Sequence, residues 1–120
     1  MVKCLVVDDV ELTRMTTEHI LKDLGIEAVL TKNTHEAQAA IVKGDISAVF
    51  LDCFIGAENG LDVLKYIRST HGNLPVVMFS GVEAGNTKSE AKKLGANDFL
   101  DKPTTKEKIE GALQRLGLIS

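Results

Sequence analysis

The sequence predicts an α/β protein, a doubly wound sheet of five parallel strands formed as one (βα)5 unit over residues 1–120. Short apolar runs alternate with helix-periodic segments five times, the pattern of parallel strands joined by right-handed helical crossovers. The most apolar runs carry almost no polar residue, as strands covered by helices on both faces require. A length of 120 residues suits a single domain with one hydrophobic core.

The elements follow in order. Residues 4–7 are an unbroken apolar run and read as the first strand. Residues 12–24 read as the first helix, with a weak, Thr-rich stripe that stops at Gly25. The second strand, 26–30, carries Glu27 and suits a sheet edge. Asn33 with Glu36 resembles a capping box, and Ala37, Ala40 and Ile41 then share a helix face. Residues 48–51 give the third strand, and Asn59-Gly60 opens a helix striped by Leu61, Leu64 and Ile67. The fourth strand is 76–79, and Ala91 and Leu94 belong to a helix that Gly95 ends. After the fifth strand, 98–100, Thr104 with Glu107 reads as a second capping box. Ile109, Ala112, Leu113 and Leu116 form the buried face of the last helix.

Composition excludes several functions. About 44% apolar and 26% charged residues describe a globular chain rather than a disordered one. A net charge of -3, no Trp and one Tyr argue against nucleic-acid binding. Cys4 and Cys53 lie inside apolar runs and read as reduced core thiols. His19, His35 and His71 stand apart from any metal-ligand spacing. No secretory leader or membrane-length run is present, so a cytoplasmic location without membrane contact is expected.

Polar residues collect at the C-terminal strand ends: Asp8-Asp9, Asp52, Ser80 and Asp101-Lys102. Ligands of doubly wound sheets bind beyond those ends, where strand order reverses. In the flavodoxin-like order 2-1-3-4-5, the first and third strands are neighbours, so Asp8, Asp9 and Asp52 converge. Three such carboxylates repel unless a cation offsets them, and Mg2+ takes carboxylates, waters and a phosphate oxygen together. Asp52 could then attack a phosphoryl group whose oxygens Lys102 and Ser80 steady. Taken singly, Asp9 also fits a helix cap, Asp52 a strand-end turn, Ser80-Gly81 a turn and Lys102-Pro103 a strand stop. Their joint arrangement is what points to chemistry.

Over essentially its full length the chain resembles the receiver domain of bacterial two-component response regulators, the CheY-like family. Leu5-Val-Val-Asp-Asp9 is similar to the family's acidic pair after the first strand, and Leu51-Asp52 with Gly60-Leu61 to its acceptor strand and next helix. Ser80-Gly81, Phe99 and Lys102-Pro103 match its hydroxyl, switch-aromatic and lysine positions. The resemblance implies phosphoryl transfer from a histidine kinase or histidine phosphotransfer protein to Asp52. It implies Mg2+, with Mn2+ as a substitute, held by Asp8, Asp9, Asp52 and the Phe54 carbonyl. Phosphorylation would draw in Ser80 and turn Phe99, remodelling the face of the fourth helix, fifth strand and fifth helix for a protein target. Lys92, Lys93, Lys106 and Lys108 are candidate contacts there. A cis Lys102-Pro103 bond is expected, as is a monomer, with phosphorylation-dependent dimerisation as the variant case. No turnover activity is implied beyond the domain's own transfer and slow dephosphorylation, and no output domain is expected within 1–120.

Two departures stand out. Ile55-Gly56 replaces the family's usual Met-Pro, which would loosen that loop. Phe54 stands where the family more often has a polar residue. The resemblance implies that Phe54 and Val82, both apolar, flank the approach of hydrolytic water, so a long-lived phosphorylated form is expected. The alternative is that Phe54 packs away against the third helix. Replacing Phe54 and Val82 by Asn and Glu should speed dephosphorylation about tenfold. Rival readings are a phosphorelay intermediate or phosphate sink, a flavodoxin-like cofactor binder and a phosphate-ester hydrolase. The acidic first turn lacks a phosphate cradle for the cofactor, and the adjacent aspartates do not suit the hydrolase.

Overall fold

The computed structural model describes residues 2–81 and 85–120. In chain order the elements are β1 (Lys3–Val7), α1 (Glu11–Asp23), β2 (Glu27–Thr31), α2 (Thr34–Lys43), β3 (Ala48–Asp52), β4 (Phe54–Ile55) and β5 (Glu58–Asn59). There follow α3 (Gly60–Thr70), β6 (Val76–Ser80), α4 (Thr87–Lys93), β7 (Asp98–Asp101) and α5 (Lys106–Arg115). Among the described residues, five strands form one parallel sheet in the order β2-β1-β3-β6-β7. This is the expected topology. The short pair β4 and β5 is an antiparallel hairpin outside that sheet, and the sequence reading did not foresee it.

Alternation along the strands divides the core into two layers. Leu5, Val7, Val49, Leu51, Val76 and Met78 pack with α2, α3 and Ala91 of α4. Cys4, Val6, Ala48, Phe50, Val77 and Phe79 pack with Ile20 and Leu21 of α1 and with Ile109, Ala112 and Leu113 of α5. β3 and β6 are buried from end to end, which is why their sequences are nearly continuous apolar runs. Phe50 and Phe79 meet with ring centroids 5.6 Å apart. Each such buried side chain contributes about 1.5–3 kcal/mol. β2 lies at the sheet edge with Glu27 exposed, as its mixed sequence suggests.

Helix starts refine the sequence reading. Asn33 accepts from the Glu36 N–H at 2.8 Å, and Glu36 accepts in turn from the Lys32 N–H at 2.9 Å, one residue earlier than in a standard capping box. Asn59 accepts from the Leu61 N–H at 2.9 Å and starts α3. For α5 the cap is Thr105, not Thr104: its hydroxyl accepts from the Lys108 N–H at 3.2 Å. Thr105, in extended conformation, directly precedes the first helical residue, Lys106, so the cap falls one residue later than the sequence suggested.

Cys4 and Cys53 are buried in opposite layers and are not joined in a disulfide. Burial pushes the Cys4 thiol up to about 12, so it carries no thiolate at neutral pH. Among the described residues, no helix is long and apolar enough to cross a membrane.

Candidate functional site

Each strand places its last side chain at the same edge of the sheet, and the central three converge there. Asp8 follows β1, Asp52 ends β3 and Ser80 ends β6; all three are buried. Asp9 is exposed at the rim. One carboxylate oxygen from each of Asp8, Asp9 and Asp52 lies within 4.8 Å of the other two.

Asp52 is held from two directions. Its Oδ2 accepts from Lys102 Nζ at 2.6 Å, and its Oδ1 accepts from the Phe54 N–H at 3.2 Å. Lys102 is aimed by backbone pairing, since its own N–H donates to the Ser80 carbonyl at 2.9 Å. The Lys102-Pro103 bond is cis. Lys102 Nζ also stands 3.8 Å from Asp8 Oδ2.

Asp8 is the most constrained of the acids. Its Oδ1 accepts from the Val10 N–H at 2.9 Å, and the Arg14 guanidinium donates to its carbonyl at 2.8 Å. Asp8 Oδ2 is buried and has no hydrogen-bond partner among the described residues. Burial pushes the Asp8 carboxyl up to about 6; the Val10 N–H and Lys102 pull it down, and the charges of Asp52 and Asp9 push it further up. Three clustered carboxylates, one of them with a buried oxygen that lacks a hydrogen bond, make a site into which a hard divalent cation fits. Asp8, Asp9 and Asp52 can therefore hold one.

The remaining residues fall less simply. The Ser80 hydroxyl donates to Asp101 Oδ1 at 3.3 Å. Asp101 is thus a partner that the strand-end pattern contained without revealing its contact. Phe99 is half-buried on β7, with Lys88 Nζ 5.5 Å from its ring centroid. Lys88 and Lys92 line a cleft of about 630 Å³ beside Phe99. Lys108, expected as a contact residue, donates to the carbonyls of Asp101 and Pro103 at 3.2 and 3.1 Å and so braces the turn that carries Lys102. Lys93 and Lys106 are exposed. Val82 lies outside the described residues.

The hairpin after Asp52 is the feature that sequence reasoning missed. Gly56 has φ +62° and opens a two-residue turn, Gly56-Ala57, between β4 and β5. Positive φ at the first turn position alone is the type II′ pattern, which demands glycine. Gly56 thus shapes a tight turn at the position where the family's usual proline is missing. A glycine between a β-branched residue and Ala was the available signal.

A doubly wound sheet with an acidic cluster at its switch point defines a class, and comparison with known proteins supplies the family. Residues 4–114 match the response regulator receiver domain, and the chain belongs to that family. It is 33% identical over 117 residues to an NtrX-like response regulator of Rickettsia bellii, covering 96% of this chain and 24% of that protein. It is 32% identical to the chemotaxis protein CheY-3 of Vibrio cholerae, covering 95% of this chain and 93% of that one. The receiver domain of NtrX from Brucella abortus superposes with a TM-score of 0.90 at 34% identity, covering 98% of this chain and 99% of that structure. The chain thus spans about a quarter of the NtrX-like relative's length and nearly all of CheY-3. Receiver domains are phosphoacceptor signalling domains of two-component systems, and response regulators interact with histidine kinases and downstream targets.

Proposed function

We propose that this chain accepts a phosphoryl group on Asp52 from the phosphohistidine of a kinase or phosphotransfer protein, with Mg2+ held by Asp8, Asp9, Asp52 and the Phe54 carbonyl. The observation that carries this reading is the convergence of Asp8, Asp9 and Asp52, with one buried Asp8 oxygen lacking a hydrogen bond and Asp52 paired with Lys102 at 2.6 Å. An Asp52 oxygen forms the new P–O bond while the P–N bond breaks, and its electron pair returns to the imidazole nitrogen. Bound Mg2+ would supply charge neutralisation for the transferring oxygens. Lys102 is poised to do the same from the other side, after releasing Asp52 Oδ2. Mn2+ has the same preference for oxygen ligands and is expected to substitute.

The donor would approach across α1, where Leu12 is 75% exposed and Met15 55%. Leu12, Thr13, Thr16, Lys102, Pro103 and Thr104 line one cleft there, adjoining the acceptor. Transfer of Ser80 from Asp101 to the phosphoryl group, with movement of Phe99 past Lys88, would carry the change to the α4–β7–α5 face. On this reading the protein works in the cytoplasm with its donor, acting by binding rather than by turnover.

Similarity to CheY-3 along 93% of that protein supports a stand-alone regulator. Similarity to 24% of the NtrX-like relative supports a receiver portion of a longer regulator, and a phosphorelay intermediate shares the same chemistry. Intact mass after acetyl phosphate treatment tests the core of the reading. One phosphoryl adduct is expected with Mg2+, none with chelator, and none in Asp52→Asn. An adduct on the Asn variant would move the acceptor elsewhere.

A further inference from the structure

The β4–β5 hairpin sits immediately after Asp52, yet a two-stranded pair this short has little stability of its own. Its geometry is nevertheless fixed at three places. At its root, the Gly60 N–H donates to the Cys53 carbonyl at 2.8 Å and the Phe54 N–H to Asp52 Oδ1 at 3.2 Å. At its tip, Gly56 lies against Asp9, so that a Cβ there would stand 3.6 Å from Asp9 Oδ2. Along its side, Glu58 Oε1 accepts from the Thr34 N–H at 2.8 Å.

The third fastening links separate parts of the chain. Thr34 is the first residue of α2, and its N–H is one of the donors a helix start leaves unsatisfied. A carboxylate at that end also meets the favourable end of the helix dipole. Local caps already serve the neighbouring amides, Asn33 for Glu36 and Glu36 for Lys32. Glu58 adds a charge-assisted bond spanning 24 residues from α2 to the hairpin.

We infer that Glu58 is a positioning residue, stapling the hairpin to α2 so that the Phe54 backbone stays against Asp52 and Gly56 beside Asp9. The inference rests on the reading that Asp9, Asp52 and the Phe54 carbonyl hold the ion. The Gly56 turn shapes the hairpin, and Glu58 fixes where that shape sits. A plain cap on α2 would contribute stability and leave the metal site unmoved.

Two measurements on the full chain separate these. Amide hydrogen exchange of the metal-free protein reads the staple directly: Glu58→Ala should speed exchange at Phe54 and Gly60 about tenfold. Titration calorimetry with Mg2+ alone should show about tenfold weaker affinity, the low end for losing a hydrogen bond that acts behind a ligand. Glu58→Gln, whose amide oxygen accepts the same bond, should recover most of both. Asn33→Ala weakens the same helix start without touching the hairpin, and should lower stability while leaving Mg2+ affinity unchanged. Unchanged exchange and affinity in Glu58→Ala, or matching losses of affinity in Glu58→Ala and Asn33→Ala, would overturn the inference. Faster exchange in Glu58→Ala with no Mg2+ binding by the parent protein would overturn the metal reading, and the positioning role with it.

Discussion

The two sides of Asp52 are held by different kinds of structure. On the Oδ2 side a cationic side chain, Lys102, reaches in from the turn between β7 and α5. On the Oδ1 side the contact is a main-chain N–H, that of Phe54, presented by a hairpin that turns at Gly56 and is followed by Gly60. The first side depends on what a residue is, and the second on where the backbone can go. A substitution on the Lys102 side removes a charge and leaves the frame standing. A substitution at Gly56 or Gly60 on the hairpin side displaces the frame and leaves the charges in number unchanged.

Lys102→Ala should break the first side with the largest effect. With Mg2+ saturating, labelling of Asp52 by acetyl phosphate should slow on the order of a hundredfold, the scale of one lost charge-stabilising donor. Asp52 is only 2% exposed, so it is left as a buried anion without its cation. Urea unfolding of the metal-free variant near neutral pH should show a loss of about 2 kcal/mol, less than for a wholly buried pair. The Lys102 side chain is itself 25% exposed, which limits the cost. Retention of the parent labelling rate would mean that the ammonium stabilises the resting pair only.

Gly60→Ala breaks the second side. A Cβ at 60 would collide with the Asp52 carbonyl oxygen and crowd Cys53 Cα, both main-chain atoms that cannot rotate away. A loss of about 3 kcal/mol in urea unfolding is expected, at the upper end for an overpacked position. The variant keeps every charge, so loss of Mg2+ binding beside intact Lys102 would show how much of the site is backbone placement.

Asp8 senses both sides. Its folded pKa, about 6, lies above the ordinary value of 3.8. The folded state therefore binds this proton more tightly than the unfolded one. For the metal-free protein, that contribution is full below the unfolded value and is lost as pH rises through about 6, up to about 3 kcal/mol in all. Mg2+ requires the deprotonated carboxylate, so its affinity should rise across the same window. Urea unfolding in chelator at about pH 4.5 and about pH 7.5 measures the slope. Asp8→Asn should remove most of it. A slope that survives belongs to another group.

The sequence carried the sheet and the polar strand ends because both are written in residue type. Continuous apolar runs require two covered faces, and Asp8, Asp52, Ser80 and Lys102 fall where those runs stop. The cap at Thr105 was misplaced by one residue, because Thr104 and Thr105 offer the same hydroxyl and the sequence does not mark which of them meets the first helical residue. The hairpin was illegible for a deeper reason. Its shape rests on the φ of Gly56, and its position on the bond from Glu58 to Thr34, a contact between residues 24 apart that no local pattern encodes. Ser80 bonded to Asp101, and Lys108 spent on two turn carbonyls, are likewise tertiary facts.

Phe54 gives the smallest expected effect and sharpens the comparison most finely, because backbone and side chain act separately there. The backbone N–H holds Asp52 Oδ1, while the half-buried ring packs against the core layer that includes Leu61 and Val63 of α3. A half-buried ring shields the acceptor only with what remains exposed. Phe54→Asn keeps the N–H, so phosphorylation by acetyl phosphate should proceed at about the parent rate. Loss of the phosphoryl group should quicken about threefold, equivalent to about 0.7 kcal/mol of barrier. Unfolding free energy should fall by about 1.5 kcal/mol from lost packing. Phe54→Leu should preserve packing and leave the lifetime nearly unchanged. Single-turnover decay after removal of the phosphoryl donor measures both variants. If Phe54→Asn alone accelerates decay tenfold, the ring carries the whole shield and Val82 contributes nothing. If decay is unaltered, water reaches the phosphorus past the ring, and the Lys102 side of the site sets the lifetime.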